Sequence, residues 1–384
     1  MLSFWERQSF LEYDYAIVGG GIVGLSTAAQ LLEQEPNARV VVLERGMFPS
    51  GASTKNAGFA CFGSLTELLS DLDTLGEDRM LALVEERYKG LLKLRERLGD
   101  TAIDYQNYGG YELIREAEAP ALEHRERINA LLKPFFDQPV YQMADDKIKA
   151  FGFQPDSLKG LVYNPYEGQI HTGKMMKALS RYVNSLGAEV FTGCQVAHWE
   201  EEPNAVVIGV ENPVYEELTL LKARRMVFCT NAFTPHLFPE LELKPGRGLV
   251  LVTEPVKGLP FKGTFHYDEG FFYFRNFGDR IIFGGGRNLD IEQESSTQFL
   301  INERIRGVLE DHLRNFILPG REVEIADWWS GIMAFGENKE PIFKPHSERV
   351  LLAVRLGGMG VAIGSRLGHR AAQWLLEPTL QATD

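Results

Sequence analysis

At 384 residues, with 44% hydrophobic and 24% charged side chains, the chain has enough apolar surface for one large domain or two ordinary ones and carries no signature of wholesale disorder. Its formal charge of -13 argues against nucleic acid or an anionic membrane as a main partner, because both repel an acidic surface. Cys61, Cys194 and Cys229 lie far apart and form no dithiol motif, the eight histidines show no metal-ligand spacing, and no apolar run reaches the roughly 20 residues of a membrane span. Residues 1–20 carry Glu6, Glu12 and Asp14 and lack the basic-then-apolar layout of a signal peptide. A soluble, cytoplasmic protein without a metal is expected.

In chain order, residues 14–19 read as a short buried strand and 22–34 as a helix. Residues 39–44 (RVVVLE) form a second, β-branched strand, so the three together predict a parallel sheet. Residues 77–98 place Leu81, Val84, Tyr88, Leu91 and Leu98 on one helical face. Residues 173–186 do the same with Met175, Leu179, Tyr182, Val183 and Leu186, and stop at Gly187. Between 196 and 290 the pattern is mostly β, with short runs at 206–210, 226–229, 248–253, 271–275 and 280–283. Residues 297–316 return to helical period through Ile301, Ile305, Val308, Leu309 and Leu313. A strand at 349–354, a glycine-rich turn and a helix at 363–376 close the chain. The order implies an α/β domain that the chain starts, leaves and re-enters.

The first strand and helix are joined by Gly19-x-Gly21-x-x-Gly24. Gly19 permits the tight turn, Gly21 lets backbone approach a pyrophosphate, and Gly24 lets helix and strand pack closely. Ile22 and Val23 bring the helix N-terminus and its free amides to the phosphates. Glu44 ends the second strand about twenty residues beyond Gly24, where an acid accepts hydrogen bonds from a ribose hydroxyl. A glycine loop made only for packing does not explain that acid, so dinucleotide binding is expected.

Beyond Glu44-Arg45 the segment Gly51-Ala-Ser-Thr-Lys-Asn-Ala-Gly58 resembles the flavin-proximal loop of the D-amino-acid-oxidase-like flavoproteins, the group of the glycine, sarcosine and glutamylputrescine oxidases. The likeness continues in the same order through Gly168-Gln-Ile-His-Thr-Gly-Lys174, Val227-Phe-Cys-Thr-Asn-Ala232, Pro245-Gly-Arg-Gly248 and Phe271-Phe-Tyr-Phe-Arg275. It ends with Gly284-Gly-Gly286, Trp329-Ser-Gly-Ile-Met333 and Gly357-Gly-Met-Gly360. Even Ser3-Phe-Trp-Glu6 is similar to an N-terminal arm of that group. The resemblance implies non-covalent FAD, held also by Arg45, Ser53, Thr54, Lys55, Asn56, Ala57, Gly58, Val196, Thr230, Asn231, Gly331, Gly358, Met359, Gly360 and Val361. Independently of it, Gly357, Gly358 and Gly360 open the last helix, whose positive end would stabilise negative charge on a reduced flavin. Gly364 and Gly368 permit the alternative of a packing turn with close helix–sheet approach.

The resemblance implies oxidation of a C–H beside an amine nitrogen by hydride transfer, with the cofactor carrying the difficult step. Met333 stands where amino-acid-oxidising members carry a carboxylate-binding arginine, so Arg275 or Arg247 would have to substitute, or bridge structurally. Phe283 stands where sarcosine-oxidase-type members carry an oxygen-activating lysine, which leaves the electron acceptor open, with Lys55 as a compensating candidate. Tyr273 and Trp329 are candidate pocket aromatics for a substrate cation. The histidines, His171, His198 and His266 among them, read as structural or exposed. Without a dithiol or a second dinucleotide turn, NAD(P)H is not expected as electron donor.

The expected fold is α/β plus α+β, an FAD-binding Rossmann-like domain (1–75, 145–230 and 325–384) interleaved with a mixed-sheet substrate domain (76–144 and 231–324). The expected function is FAD-dependent oxidation of the C–N bond of a small amine or amino acid. The alternatives are an FAD-dependent 2-hydroxy-acid dehydrogenase and a non-catalytic or partner-dependent FAD-binding subunit.

Overall fold

In the computed structural model, which describes residues 1–377 apart from 213 and 215, two eight-stranded sheets bury their side chains in different ways. The strands Val40–Glu44 and Val350–Val354 bury every residue, as strands covered on both faces must. They belong to a sheet ordered 342–345, 350–354, 219–228, 12–18, 40–44 and 189–192, with the antiparallel strands 205–210 and 196–202 added beside 219–228. Its centre is parallel: Ile17 pairs with Val42 on one side and Val227 on the other, and Val227 with Leu351. Alternate residues feed two cores. Tyr15, Ile17, Val40 and Val42 meet the helices, while Ala16, Val18, Val41 and Leu43 meet the layer that holds Val206, Ile208, Phe228 and Phe238.

The helix Ile22–Gln34 ends at Glu35 because Pro36 follows and cannot continue it. It packs against Gly360–Leu376 and Thr172–Ser185 in one core, together with Met80, Val84, Leu91 and Leu94 of Glu77–Leu98. Gly368 makes the closest approach: a Cβ there would lie 2.6 Å from the Cβ of Ser26 and 2.8 Å from the Val23 carbonyl oxygen. Gly364 and Gly368 therefore serve helix–helix contact, in place of the expected helix–sheet contact.

The second sheet runs 325–335, 244–253, 280–285, 272–277, 264–267, 110–114, 160–164 and 142–143. One face carries an aromatic core in which Phe265 and Phe274 stack with centroids 4.7 Å apart, alongside Phe272 and Phe283, beneath the helix Glu303–His312. The period of two along Phe272–Phe277 sends Phe272 and Phe274 to that core and Tyr273 and Arg275 to the opposite face, which turns towards the first domain.

Three placements depart from the expected partition. The strands Gly160–Asn164 and Ile325–Phe335 pair in the second sheet, although their ranges were assigned to the first domain. The helix Glu77–Leu98, assigned to the second, buries Met80, Leu83, Val84, Arg87, Leu91 and Leu94, several of them against the first domain's helices. The 297–316 helix begins only at Glu303, because the Asn302 side chain accepts from the amides of Arg304 and Ile305 and fixes the start there. Ile301 is left exposed. Residues 378–384, assigned to the first domain, lie outside the described residues.

Candidate active site

The strand Glu12–Val18 delivers Gly19 in the left-handed region (φ 109°), with its amide on the Leu43 carbonyl at 2.9 Å. A Cβ on Gly24 would sit 1.9 Å from the Gly19 carbonyl oxygen, so no side chain fits there. Gly21 caps the helix Ile22–Gln34 without a side-chain acceptor, and Ser53 Oγ accepts the Ile22 amide at 2.9 Å. The other first-turn amides have no intrahelical acceptor. The amides of Gly20 and Gly46 each donate to one oxygen of the Glu44 carboxylate, at 2.9 Å. That fixes the carboxylate at the edge of a cleft, with lone pairs left for further donors. Arg45 stacks on Phe233 beside it, 3.6 Å from the ring centroid.

The loop after Glu44 is held by local and long-range contacts together. Asn56 Oδ1 accepts from the Gly58 amide and from Thr172 Oγ1, both at 2.9 Å, and Thr54 Oγ1 donates to the Pro49 carbonyl. The Trp329 indole N–H donates to the Lys55 carbonyl at 2.8 Å. Arg275, which is buried, donates to the carbonyls of Ala57, Ile170 and Asn276. Burial pulls its guanidinium down to about 10. Opposite this loop, Asn231 and Arg355 both adopt positive φ, tied by the Arg355 amide on Asn231 Oδ1. Such backbone persists where surrounding contacts over-determine it.

Between these walls lies a cleft of about 690 Å³ that runs from Gly19, Glu44 and Val196 to the second sheet. Most of the expected cofactor residues line it: Gly19, Gly21, Ile22, Val23, Glu44, Arg45, Ser53, Lys55, Asn56, Ala57, Val196, Thr230, Asn231, Gly331 and Gly358 to Val361. Gly24, Thr54 and Gly58 support the wall from behind and are not among the lining residues. Of the expected substrate residues, Lys55, Tyr273 and Met333 line the cleft. Arg275 and Trp329 do not; their donors are spent on backbone carbonyls, those of Lys55 and Ala57 in the loop and those of Ile170 and Asn276 beyond it. Arg247 also points elsewhere, pairing with Glu294 at 2.7 Å. Phe283 packs in the aromatic core, so its strand position presents no side chain to the cleft.

Sequence reasoning missed Phe59, Glu67, His266, Arg287, Phe335 and Lys339, all of which line the cleft. His266, read as structural or exposed, is buried, and its Nε2 lies 3.9 Å from Glu167 Oε2 without a hydrogen-bond partner. Burial lowers its imidazole below the ordinary value against the pull of Glu67, so the ring is neutral. At Glu67 burial pushes the carboxyl up, but the charges of Lys339 and Arg87 and the Ser64 amide carry it below the usual carboxylate value. Burial raises the Tyr273 phenol to about 12. One signal was available: Gly284-Gly-Gly286 directly precedes Arg287, and such a run marks a chain that bends off its sheet.

A strand–turn–helix that offers amides at a glycine turn, an anchored acid at the end of the next strand, and a cleft continuing to a second mixed sheet have the arrangement of a dinucleotide-cofactor protein. Residues 14–374 match the family model of the FAD dependent oxidoreductases (DAO), and the chain belongs to that family. It is similar to the glycine oxidase of Geobacillus kaustophilus (strain HTA426), 26% identical over 90% of this chain and 87% of that one. It is also similar to the L-2-hydroxyglutarate dehydrogenase of Escherichia coli (strain K12), 23% identical over 79% and 73% of the two chains. The crystal structure of the Geobacillus kaustophilus glycine oxidase superposes with a TM-score of 0.77 at 21% identity, over 97% of each chain. The protein is an FAD-dependent enzyme, and the glycine turn with its bare approach, the doubly anchored Glu44 and the volume of the cleft fit that cofactor. Bound FAD supplies the two-electron acceptor. Among the described residues, no helix is long and apolar enough to cross a membrane.

Proposed function

We propose that the chain oxidises the C–N bond of a small amine or amino acid by hydride transfer to non-covalently held FAD. The observation that carries this reading is the pairing of an anionic carboxylate with aromatic faces on the substrate side of the cleft. Glu67 stays ionised there, and Phe59 makes edge contacts with Tyr273 and His266, with centroids 5.5 and 5.1 Å apart. An ammonium rests against a π face and is balanced by the carboxylate. The neutral phenol of Tyr273 adds no competing charge. Non-covalent attachment is supported by the thiols that line the cleft: burial pushes Cys61 well above its ordinary value, Cys229 to about 12 and Cys194 upward, so none is a nucleophilic thiolate at neutral pH.

The similarity to L-2-hydroxyglutarate dehydrogenase supports a second reading, oxidation of a 2-hydroxy acid. Anaerobic titration of the yellow holoenzyme with parallel panels of small amines, amino acids and 2-hydroxy acids separates the two. Bleaching of the flavin by members of the amine or amino-acid panel is expected. Bleaching by 2-hydroxy acids alone overturns the amine reading.

A further inference from the structure

We propose that Arg287 is the anion anchor of the substrate site, binding a carboxylate of the substrate at the Met333–Phe335 end of the cleft. The proposal deepens the reading of this cleft as a substrate site and rests on it. It assigns the substrate a class: a small amino carboxylate rather than a plain amine.

The chain reaches this position by leaving the second sheet. Gly285 and Gly286 both adopt positive φ (130° and 75°), and Arg287 opens a single short turn, Arg287–Leu289. Its side chain runs back across Gly246, where a Cβ would lie 3.4 Å from Arg287 Cδ. Gly246 pairs across the strands with Met333, whose side chain lines the cleft. The guanidinium carbon lies 3.9 Å from the centroid of the Phe335 ring, so one face of the plane is covered by an aromatic wall of the cleft. A guanidinium stacked in this way keeps its in-plane N–H groups for an acceptor, and a carboxylate matches two of them at once.

Charge balance leaves that acceptor to come from outside. The carboxylate whose charge acts on Arg287 is Glu294, which is fully buried. Both of its oxygens are taken by Arg247, at 2.7 and 2.9 Å, and one also accepts from Asn302 at 2.9 Å. Buried Arg247 and half-buried Arg287 thus share one carboxylate, and Arg247 holds it. Among the described residues no carboxylate lies within ion-pair distance of Arg287. A partly buried cation without a partner is costly, and an anion entering the cleft relieves that cost. The other basic groups on the wall have different duties: Lys339 pairs with Asp71 at 2.8 Å, Lys55 lies over Phe299, and Arg45 sits with Glu44 and Phe233 at the nucleotide end.

The test uses holoenzyme loaded with FAD, with acetate and succinate as probes, their binding read from perturbation of the flavin absorption band. Wild-type protein is expected to bind at least one probe saturably. In R287M the dissociation constant should rise by about 100-fold, the worth of two charge-assisted hydrogen bonds, with R287K between the two. A constant unchanged in R287M, or a wild-type protein that binds neither probe, overturns the proposal. FAD content is measured on the same samples. If R287M and R287K both lose FAD while their apoproteins unfold at the wild-type temperature, Arg287 is a cofactor ligand and the proposal fails. Catalysis distinguishes this failure from that of the amine reading. Arg287-dependent probe binding in an enzyme reduced only by 2-hydroxy acids retains the anchor and removes the amine. Reduction by amines with probe binding indifferent to R287M does the reverse.

Discussion

At the nucleotide end of the cleft, both hydrogen bonds that orient Glu44 come from amides within 24 residues of it. At the substrate end, the bonds that shape the wall span far more chain: 218 residues from Arg275 to Ala57 and 274 from Trp329 to Lys55. The first end is one strand–helix–strand unit whose spacing alone dictates its geometry. The second is a seam between two sheets, and its side chains take their roles from partners that only folding brings near. A residue type therefore carries different information at the two ends. A glycine at position 24 is explained by its neighbours in sequence, whereas an arginine at position 275 could serve substrate or scaffold until its carbonyl partners are known.

The sharpest way to break this contrast is Gly24→Val. Its side chain would meet the Gly19 carbonyl rather than a flexible neighbour, so purified protein should be colourless, without flavin absorbance even after incubation with FAD. A yellow variant with full cofactor content would show that the local unit is not what holds the nucleotide.

Arg275→Met probes the opposite end. Removing the guanidinium leaves the carbonyls of Ala57 and Ile170 without their buried donor, a loss of about 1–3 kcal/mol for each unsatisfied group. Unfolding should shift by a few kcal/mol in denaturant titration, accompanied by weaker FAD retention. A variant with wild-type stability and a changed substrate preference would instead assign Arg275 to the substrate.

Glu112→Gln sharpens the comparison through pH. Glu112 is buried on the second sheet and accepts from the amides of Leu65 and Thr66 and the Thr66 hydroxyl. Burial raises its carboxyl from 4.5 to about 7, partly offset by the bonds from Thr66 and Ser64. The protonated form is the one the fold favours, so this group's contribution is complete below pH about 4.5 and is lost as pH rises through about 7. The wild-type stability should therefore fall more steeply than that of E112Q between pH 5 and 8, by roughly 3 kcal/mol at most. Parallel urea titrations at the two pH values check it. Identical pH slopes would show that Glu112 is ionised throughout and anchored by the helix N-terminus it meets.

Much of the fold was legible because it is local. The strand–helix–strand unit at 14–44 has its counterpart in Glu12–Val18, Ile22–Gln34 and Val40–Glu44, since apolar runs and a glycine turn encode it within a short window. Residues 297–302 were misread because helical period continues through Ile301 while the Asn302 cap, a single side chain, sets the start. The strand Ile325–Phe335 pairs in the second sheet, apart from the range it was grouped with, because strand pairing is a long-range choice that an apolar run does not record.

By itself the sequence determined one end of the cleft: the amides of the glycine turn, the acid that ends the second strand and the helix whose N-terminus opens beside them. Tertiary structure alone decided which of Arg247, Arg275 and Arg287 is free to meet a ligand. Arg247 and Arg275 are consumed by Glu294 and by backbone carbonyls, while Arg287 is brought onto the cleft wall against Phe335. The reason is physical: a turn is specified by backbone sterics between near neighbours, whereas the availability of a charge depends on which other buried groups have already satisfied it.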